Sequence, residues 1–518
     1  MNELKKNTGV LIERLLGYCK EKGLIEEMDV IVVRNGLMDL FRIDTLYNAK
    51  SNIEELDKAL AKDILEESPT EILEQLLGIG AEIVLIPMNT ATYRDLLDAK
   101  IMGILMPRQS EVVRKFYGIY HGKGPKEATD YLYDLSKASN YIRMDLIKKN
   151  MMWVSPTKSG YLEITINMSK PEKDPREIAN QTELKKVGYP KCLLCAENAG
   201  FQGNLNHPAR QNLRIIPVKA GGENWYLQFS PYSYYEEHCI LLHEHHIPMK
   251  ISELTFARLL DFAAAFPDYF IGSNADLPIV GGSMLTHEHY QAGRHEFPLD
   301  FAKIEKKYVS DKFPEAALSI LDWPLSTVRV EAKSKKEVES LSVKILELWK
   351  QYTDEELGII AFTTEVHNTI TPIARRGAGG TYIMNLILRN NRTSSAFPDG
   401  IFHAHKEHQH LKRENIGLIE AMGMAILPSR LGTELTVMTQ HLMGKKDKEC
   451  EEMHKNWLSE IIEIFGDGLG KEEATGALKL KVAEKFSAIL DNCGVFKKDE
   501  DGRAGFDRFM KAAGFEQI

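Results

Sequence analysis

The pattern of apolar and polar positions divides the chain into three stretches. Near the start, Ile12, Leu15, Leu16 and Cys19 recur at i, i+3, i+4 and i+7, the spacing of one buried helix stripe. Ser68-Pro69-Thr70-Glu71 reads as a helix start: serine caps, proline suits the first turn, and the glutamate reaches back to the cap. Helical spacing continues through Tyr131 to Lys148. From Tyr161 the period changes: Leu162, Ile164, Ile166 and Met168 alternate with Glu163, Thr165 and Asn167, which predicts a half-buried strand. The polar segment Ser169–Glu183 reads as a linker or exposed loop. Between about Tyr189 and Met438, short apolar runs are punctuated by Gly and Pro, which predicts an α+β core with mostly antiparallel sheet. Beyond Lys445 helix returns, with Leu458, Ile461, Ile462 and Phe465 on one stripe.

Composition narrows what such a chain does. Its 518 residues are ample for a buried core, and 43% apolar with 27% charged residues is a globular balance. The net charge of −9 disfavours non-specific nucleic-acid binding. No apolar run reaches the roughly 18 residues of a spanning helix, and Met1-Asn-Glu-Leu-Lys-Lys lacks the apolar core of a secretion signal. Six cysteines are too few for a secreted disulfide scaffold, so the expectation is a cytoplasmic protein with no membrane or nucleic-acid partner. Cys19, Cys239, Cys450 and Cys493 stand alone and read as buried small hydrophobes.

Histidines locate the chemistry. Of 16, eight lie between His207 and His295 and five between His367 and His410, so the middle of the chain carries it. Cys192-Leu-Leu-Cys195 has zinc-knuckle spacing, and His243-Glu-His245-His246 with His287 offers the remaining ligands; the alternative is a pair of buried thiols or a redox pair. In Gly281-Gly-Ser283-Met-Leu-Thr-His287-Glu-His289-Tyr-Gln291, strand parity places residues 287, 289 and 291 on one face. Imidazole attacks phosphorus or exchanges protons near neutral pH, and a carboxamide donates to a phosphoryl oxygen as charge builds there. The alternative is a surface strand with scattered histidines. Arg375-Arg-Gly-Ala-Gly-Gly380 lacks the Gly-Lys-Ser/Thr ending of a phosphate loop and reads as a hairpin turn, with Arg375 or Arg376 able to reach an anionic sugar. Arg210 and Arg214 read equally well as phosphate contacts or as surface charges.

The motif His287-x-His289-x-Gln291 after Gly-Gly-Ser resembles that of galactose-1-phosphate uridylyltransferases, in the histidine-triad superfamily. The wording is closest to the second, Firmicutes-type class. Tyr189-Pro-Lys-Cys-Leu-Leu-Cys195, Asn206 to Pro217, Phe266 to Gly282, His367 to Ile373 and Glu414 to Gly423 carry that similarity over essentially the whole chain. The resemblance implies uridylyl exchange between UDP-glucose and galactose 1-phosphate by a ping-pong route, in galactose metabolism. His289 would be the nucleophile and Gln291 the donor to the phosphoryl oxygens. Asn274 and Ser283 would contact the nucleotide, and Cys192, Cys195, His245 and His287 would hold a structural zinc. Of these ligands His245 is the least constrained, flanked as it is by His243 and His246.

The resemblance also implies a homodimer and a core of two related antiparallel-sheet halves with helical extensions. The corresponding regions are 1–170, 171–310, 311–440 and 441–518. A second metal would sit near His403 and His405, with His367 as a further ligand and Glu296 as the carboxylate; the alternative is histidines lining a substrate or dimer surface. Parity would put His403 and His405 on one strand face, and Gly400 to His405 faintly echoes the first motif. The rival functions are hydrolysis or phosphorolysis of a nucleotide, and a non-catalytic zinc protein that binds nucleotide sugars.

Overall fold

The computed structural model describes residues 2–44, 69–168, 188–282 and 284–518. Helix Asn2–Glu21 buries Ile12, Leu15, Leu16 and Cys19 along the predicted stripe. The helix expected after Ser68 runs Thr70–Glu82 behind Pro69; Ser68 itself, like the expected linker Ser169–Glu183, lies outside the described residues. Helices Ala91–Leu105, Gln109–Gly122 and Pro125–Ala138 follow. Strands β1 (Met151–Thr157) and β2 (Gly160–Ile166) then form a hairpin.

An eleven-stranded antiparallel sheet forms the centre, and it is built twice from one plan. The first half comprises β3 (Ile216–Ala220), β4 (Glu223–Phe229), β5 (Cys239–His243), a crossover helix Glu253–Ala265, β6 (Phe270–Gly272) and β7 (His289–Gly293). The second repeats it with β8 (Ile304–Ser310), β9 (Phe313–Leu321), β10 (Thr327–Ala332), helix Lys335–Gln351, β11 (Asn368–Arg376) and β12 (Tyr382–Asn390). In each half the fifth strand inserts between the third and fourth, giving the orders β3-β4-β5-β7-β6 and β8-β9-β10-β12-β11. The halves join through β6 and β11, with Ile271 opposite Ala374. Residues 294–303 connect the halves. Both crossover helices pack side by side on one face.

The open edges of such a sheet need covering. At β3 the helix Gln109–Gly122 does this: Ile215 N–H donates to Gln109 Oε1 at 3.2 Å, and the Gln109 amide and Tyr117 hydroxyl donate to the Ile215 and Pro217 carbonyls. Pro217 presents no outward N–H, as suits an edge. At the far edge β14 (Glu516–Gln517) pairs with β8.

The second face is covered by a smaller sheet in which β2 lies between β1 and the parallel strand β13 (Met424–Leu427). Leu162, Ile164 and Ile166 are buried as their alternation predicts, but Thr165 and Asn167 are buried too. A central strand covered on both sides explains the departure from a half-buried pattern. Helix Lys455–Phe465 buries Leu458 and Ile461 and leaves Ile462 and Phe465 half-buried. Cys19, Cys239, Cys450 and Cys493 are all buried, and no helix among the described residues is long and apolar enough to cross a membrane.

Candidate active site and metal cluster

Strand β7 separates structure from chemistry by parity. Glu288 and Tyr290 turn toward the crossover helix, where Arg258 Nη1 donates to Glu288 Oε1 at 2.8 Å and to the Tyr290 hydroxyl at 3.2 Å. Trp225 stacks on Tyr290. His287, His289 and Gln291 have the opposite parity and face away from that helix. His287 lies at a bend two residues before β7 begins, and the strand pairing reaches back only to Glu288, whose carbonyl accepts from His243 N–H at 3.0 Å.

His289 is buried, and its Nδ1 lies 2.8 Å from the His287 carbonyl oxygen. A carbonyl only accepts, so Nδ1 carries the proton and Nε2 keeps its lone pair. Burial pulls the pKa of His289 down to about 4, so the ring is neutral at pH 7. Gln291 is half-buried, with Oε1 3.2 Å from His238 Nε2.

A cavity of about 790 Å³ opens beside Gln291 and is lined also by Asn274, Gly281 and Gly282, with Lys412 and Glu420 on its far wall. Glycine is required where the loop turns in: a Cβ on Gly281 would meet the Ala275 carbonyl at 2.3 Å, and one on Gly282 would meet Asn274 Nδ2 at 2.6 Å. Asn274 Oδ1 accepts from Leu418 N–H at 2.8 Å, tying the motif loop to the opposite wall. Lys412 Nζ donates to Glu420 Oε1 at 2.9 Å and to the Ile426 carbonyl at 3.0 Å. Ser283 lies outside the described residues.

Cys192, Cys195, His246 and His287 converge, with all four donor atoms within 4.8 Å of one another. The two sulfurs are 3.6 Å apart, His287 Nδ1 is 3.3 Å from Cys192 Sγ, and His246 Nδ1 is 3.3 Å from Cys195 Sγ. These match the edges, about 3.3–3.8 Å, of a tetrahedron with zinc bonds of about 2.0–2.3 Å. His287 Nε2–H donates to the His243 carbonyl at 2.9 Å, which turns the Nδ1 lone pair inward. Burial, with Cys195 adding to it, pushes the Cys192 thiol up to about 11, so Cys192 holds thiolate charge only against a cation. The donor set thus fits a zinc ion, and it corrects one expected ligand. His245 is 73% exposed beside Glu244, and His246 takes its place because the chain turns after β5 ends at His243.

The later histidines do not assemble as expected. Residues 400–405 form turns rather than a strand, so the parity argument for His403 and His405 fails. By topology the counterpart of β7 is β12, not the 400–405 echo. His367 is engaged on both ring nitrogens, by Asn391 Oδ1 at 2.9 Å and Thr363 Oγ1 at 2.7 Å. Glu296 lies 3.6 Å from Arg375. Among the described residues the Cys192 group is the one metal-ligating cluster. Residues 377–381 form the expected turn between β11 and β12, but Arg375 pairs with Asp300 and Arg376 stacks on Tyr382. Arg214 donates to the Pro107, Gln211 and Leu213 carbonyls, while Arg210 lines a separate cavity of about 380 Å³.

Two residues escaped the sequence. His246 stands among three near-equivalent histidines, and only the turn after His243 distinguishes it. His238 meets Gln291 through strand pairing, which linear spacing does not display.

These features define a class: a duplicated, histidine-triad-like α+β protein with one motif-bearing half and a Cys2His2 cluster beside it. Family models for the N-terminal and C-terminal domains of galactose-1-phosphate uridyl transferase match residues 43–248 and 263–459. A galactose-1-phosphate uridylyltransferase of Caldanaerobacter subterraneus subsp. tengcongensis is 53% identical over 99% of both chains. That of Halalkalibacterium halodurans is 46% identical over 98% of this chain and 99% of its own. That of Bacillus subtilis is 44% identical over 98% of each. No solved structure matches the chain significantly. The chain belongs to the galactose-1-phosphate uridylyltransferase family, a family of transferases.

Proposed function

We propose that the protein moves a uridylyl group from UDP-glucose to galactose 1-phosphate through a covalent intermediate on His289. The observation that carries this is the Nδ1 contact of His289 with the His287 carbonyl, which leaves a neutral Nε2 lone pair on the motif face. Nε2 attacks the α-phosphorus, the bond to the β-phosphate oxygen breaks, and glucose 1-phosphate departs. A phosphate oxygen of galactose 1-phosphate then attacks the same phosphorus, the N–P bond breaks, and UDP-galactose leaves with the imidazole restored. The acceptor is already anionic at neutral pH and needs no base, so in-line positioning and charge stabilisation supply the rate.

Gln291 donates to the phosphoryl oxygens from the cavity wall, and Asn274 on the same wall contacts the nucleotide, the role the resemblance also gives to Ser283. Cys192, Cys195, His246 and His287 would hold a structural zinc, which would anchor the approach to β7.

The test is acceptor dependence. With UDP-glucose and galactose 1-phosphate together, UDP-galactose accumulates; UDP-glucose consumed without any sugar phosphate would make the protein a hydrolase, and binding without turnover would make it a sensor.

A further inference from the structure

We infer that His238 is a positioning residue for the transfer: its Nε2–H holds the Gln291 carboxamide by the oxygen and so turns the amide N–H groups toward the phosphoryl oxygens. The inference rests on the uridylyl-transfer reading above.

A carboxamide is nearly symmetric in shape but not in chemistry. Flipped, Gln291 would present its oxygen to an anionic phosphoryl group and repel it. What decides the orientation is the partner at the other end, His238 Nε2 at 3.2 Å from Oε1. The proton of His238 belongs on Nε2 for a reason that the surroundings supply. Its Nδ1 is buried without a partner, and the nearby Tyr235 hydroxyl donates to the Ala292 carbonyl instead. A proton on Nδ1 would be a buried orphan donor, whereas a bare Nδ1 lone pair is the cheaper vacancy. Burial also takes the pKa of His238 down to about 4, so the ring remains neutral and cannot become a donor on both sides at neutral pH.

The ring has little freedom. It is 3% exposed, stacked on Tyr234 at 5.4 Å and tilted against Tyr235 at 4.6 Å between centroids. Its own N–H donates to the Tyr235 carbonyl, and its carbonyl accepts from Ser230 N–H at 2.7 Å. The residue before it, Glu237, sits at φ 53°, a left-handed conformation unfavourable for a non-glycine residue. That turn is held by the Tyr269 hydroxyl and by Arg294 at 3.2 Å, both on the Glu237 carboxylate. The fold thus accepts local strain at the point that delivers His238 to Gln291.

The experiment is a double-mutant cycle read by single-turnover uridylylation with UDP-glucose, using wild type, Gln291→Ala, His238→Phe and the double variant. Phenylalanine keeps the ring stack and removes the donor. The expected result is a roughly 10- to 100-fold slower step in His238→Phe with KM for UDP-glucose changed less than about two-fold. In the Gln291→Ala background the same substitution should add nothing, because the group it orients is gone. His238→Gln, which restores an N–H donor, should recover part of the rate. Equal losses in both backgrounds, or no loss in the single variant, would overturn the inference while leaving the transfer reading intact. Wild-type rate in Gln291→Ala would instead remove the role given to Gln291 and the inference with it. Thermal melting checks folding, and His238→Met gives the same cycle if the phenylalanine variant is unfolded.

Discussion

The two halves of the central sheet share one strand order but differ in what joins their fourth and fifth strands. In the second half β11 and β12 are linked by residues 377–381, a tight glycine turn. In the first half β6 and β7 are linked by residues 273–288, which carry Asn274, the Gly281-Gly282 turn and His287. The fifth strands differ accordingly. β7 reads His-Tyr-Gln-Ala-Gly with Gln291 on a cavity, while β12 has no histidine and is buried from Met384 to Asn390. The sheet plan demands only apolar residues at pairing positions, so both copies satisfy it. The chemistry demands space beside the fifth strand, and only the longer connection leaves that space. The second half contributes sheet continuity, and the segment after it supplies the far wall through Lys412, Leu418 and Glu420.

Substitutions that separate the halves sharpen this comparison. The largest effect is expected at His289→Asn: transfer should fall by about four orders of magnitude or more, with a melting temperature within a few degrees of wild type. Gln291→Ala should lower the rate by about 10²- to 10³-fold without a comparable loss of UDP-glucose affinity, as steady-state and binding measurements would show. In β12, Leu386 is fully buried, and Leu386→Ala should cost about 2–5 kcal/mol in denaturant unfolding while activity per folded molecule stays unchanged. A rate defect there that outlasted correction for folding would break the division of labour between halves. The smallest effect separates two neighbours: His245→Ala should change stability by less than about 0.5 kcal/mol and keep bound zinc, whereas His246→Ala should lose it by elemental analysis.

Much of this was legible before any coordinates. Periodicity found the first helix stripe and the alternation of β2, because each reports a single solvent boundary. It misjudged Thr165 and Asn167 because the second face of β2 is closed off as well, by segments distant in sequence such as the one carrying His295, 2.8 Å from Glu163 on the same parity. Parity relates His289 to Gln291 because both lie on β7, whereas His287 sits at a bend before the strand begins. The same argument failed at His403 and His405, where the chain turns, and could not choose His246 over His245 beyond the end of β5. Spacing therefore reads chemistry within one regular element and loses it where side chains meet across elements, as His238 and Gln291 do.

The central claim is that His289 takes the uridylyl group, and intact-protein mass after brief mixing with UDP-glucose alone tests it most directly. Wild type should gain one uridylyl group, discharged as UDP-galactose when galactose 1-phosphate is added, and His289→Gly should gain none. An adduct of the same mass on the His289→Gly protein, or UDP-galactose formed by wild type with no adduct ever detectable, would contradict the account.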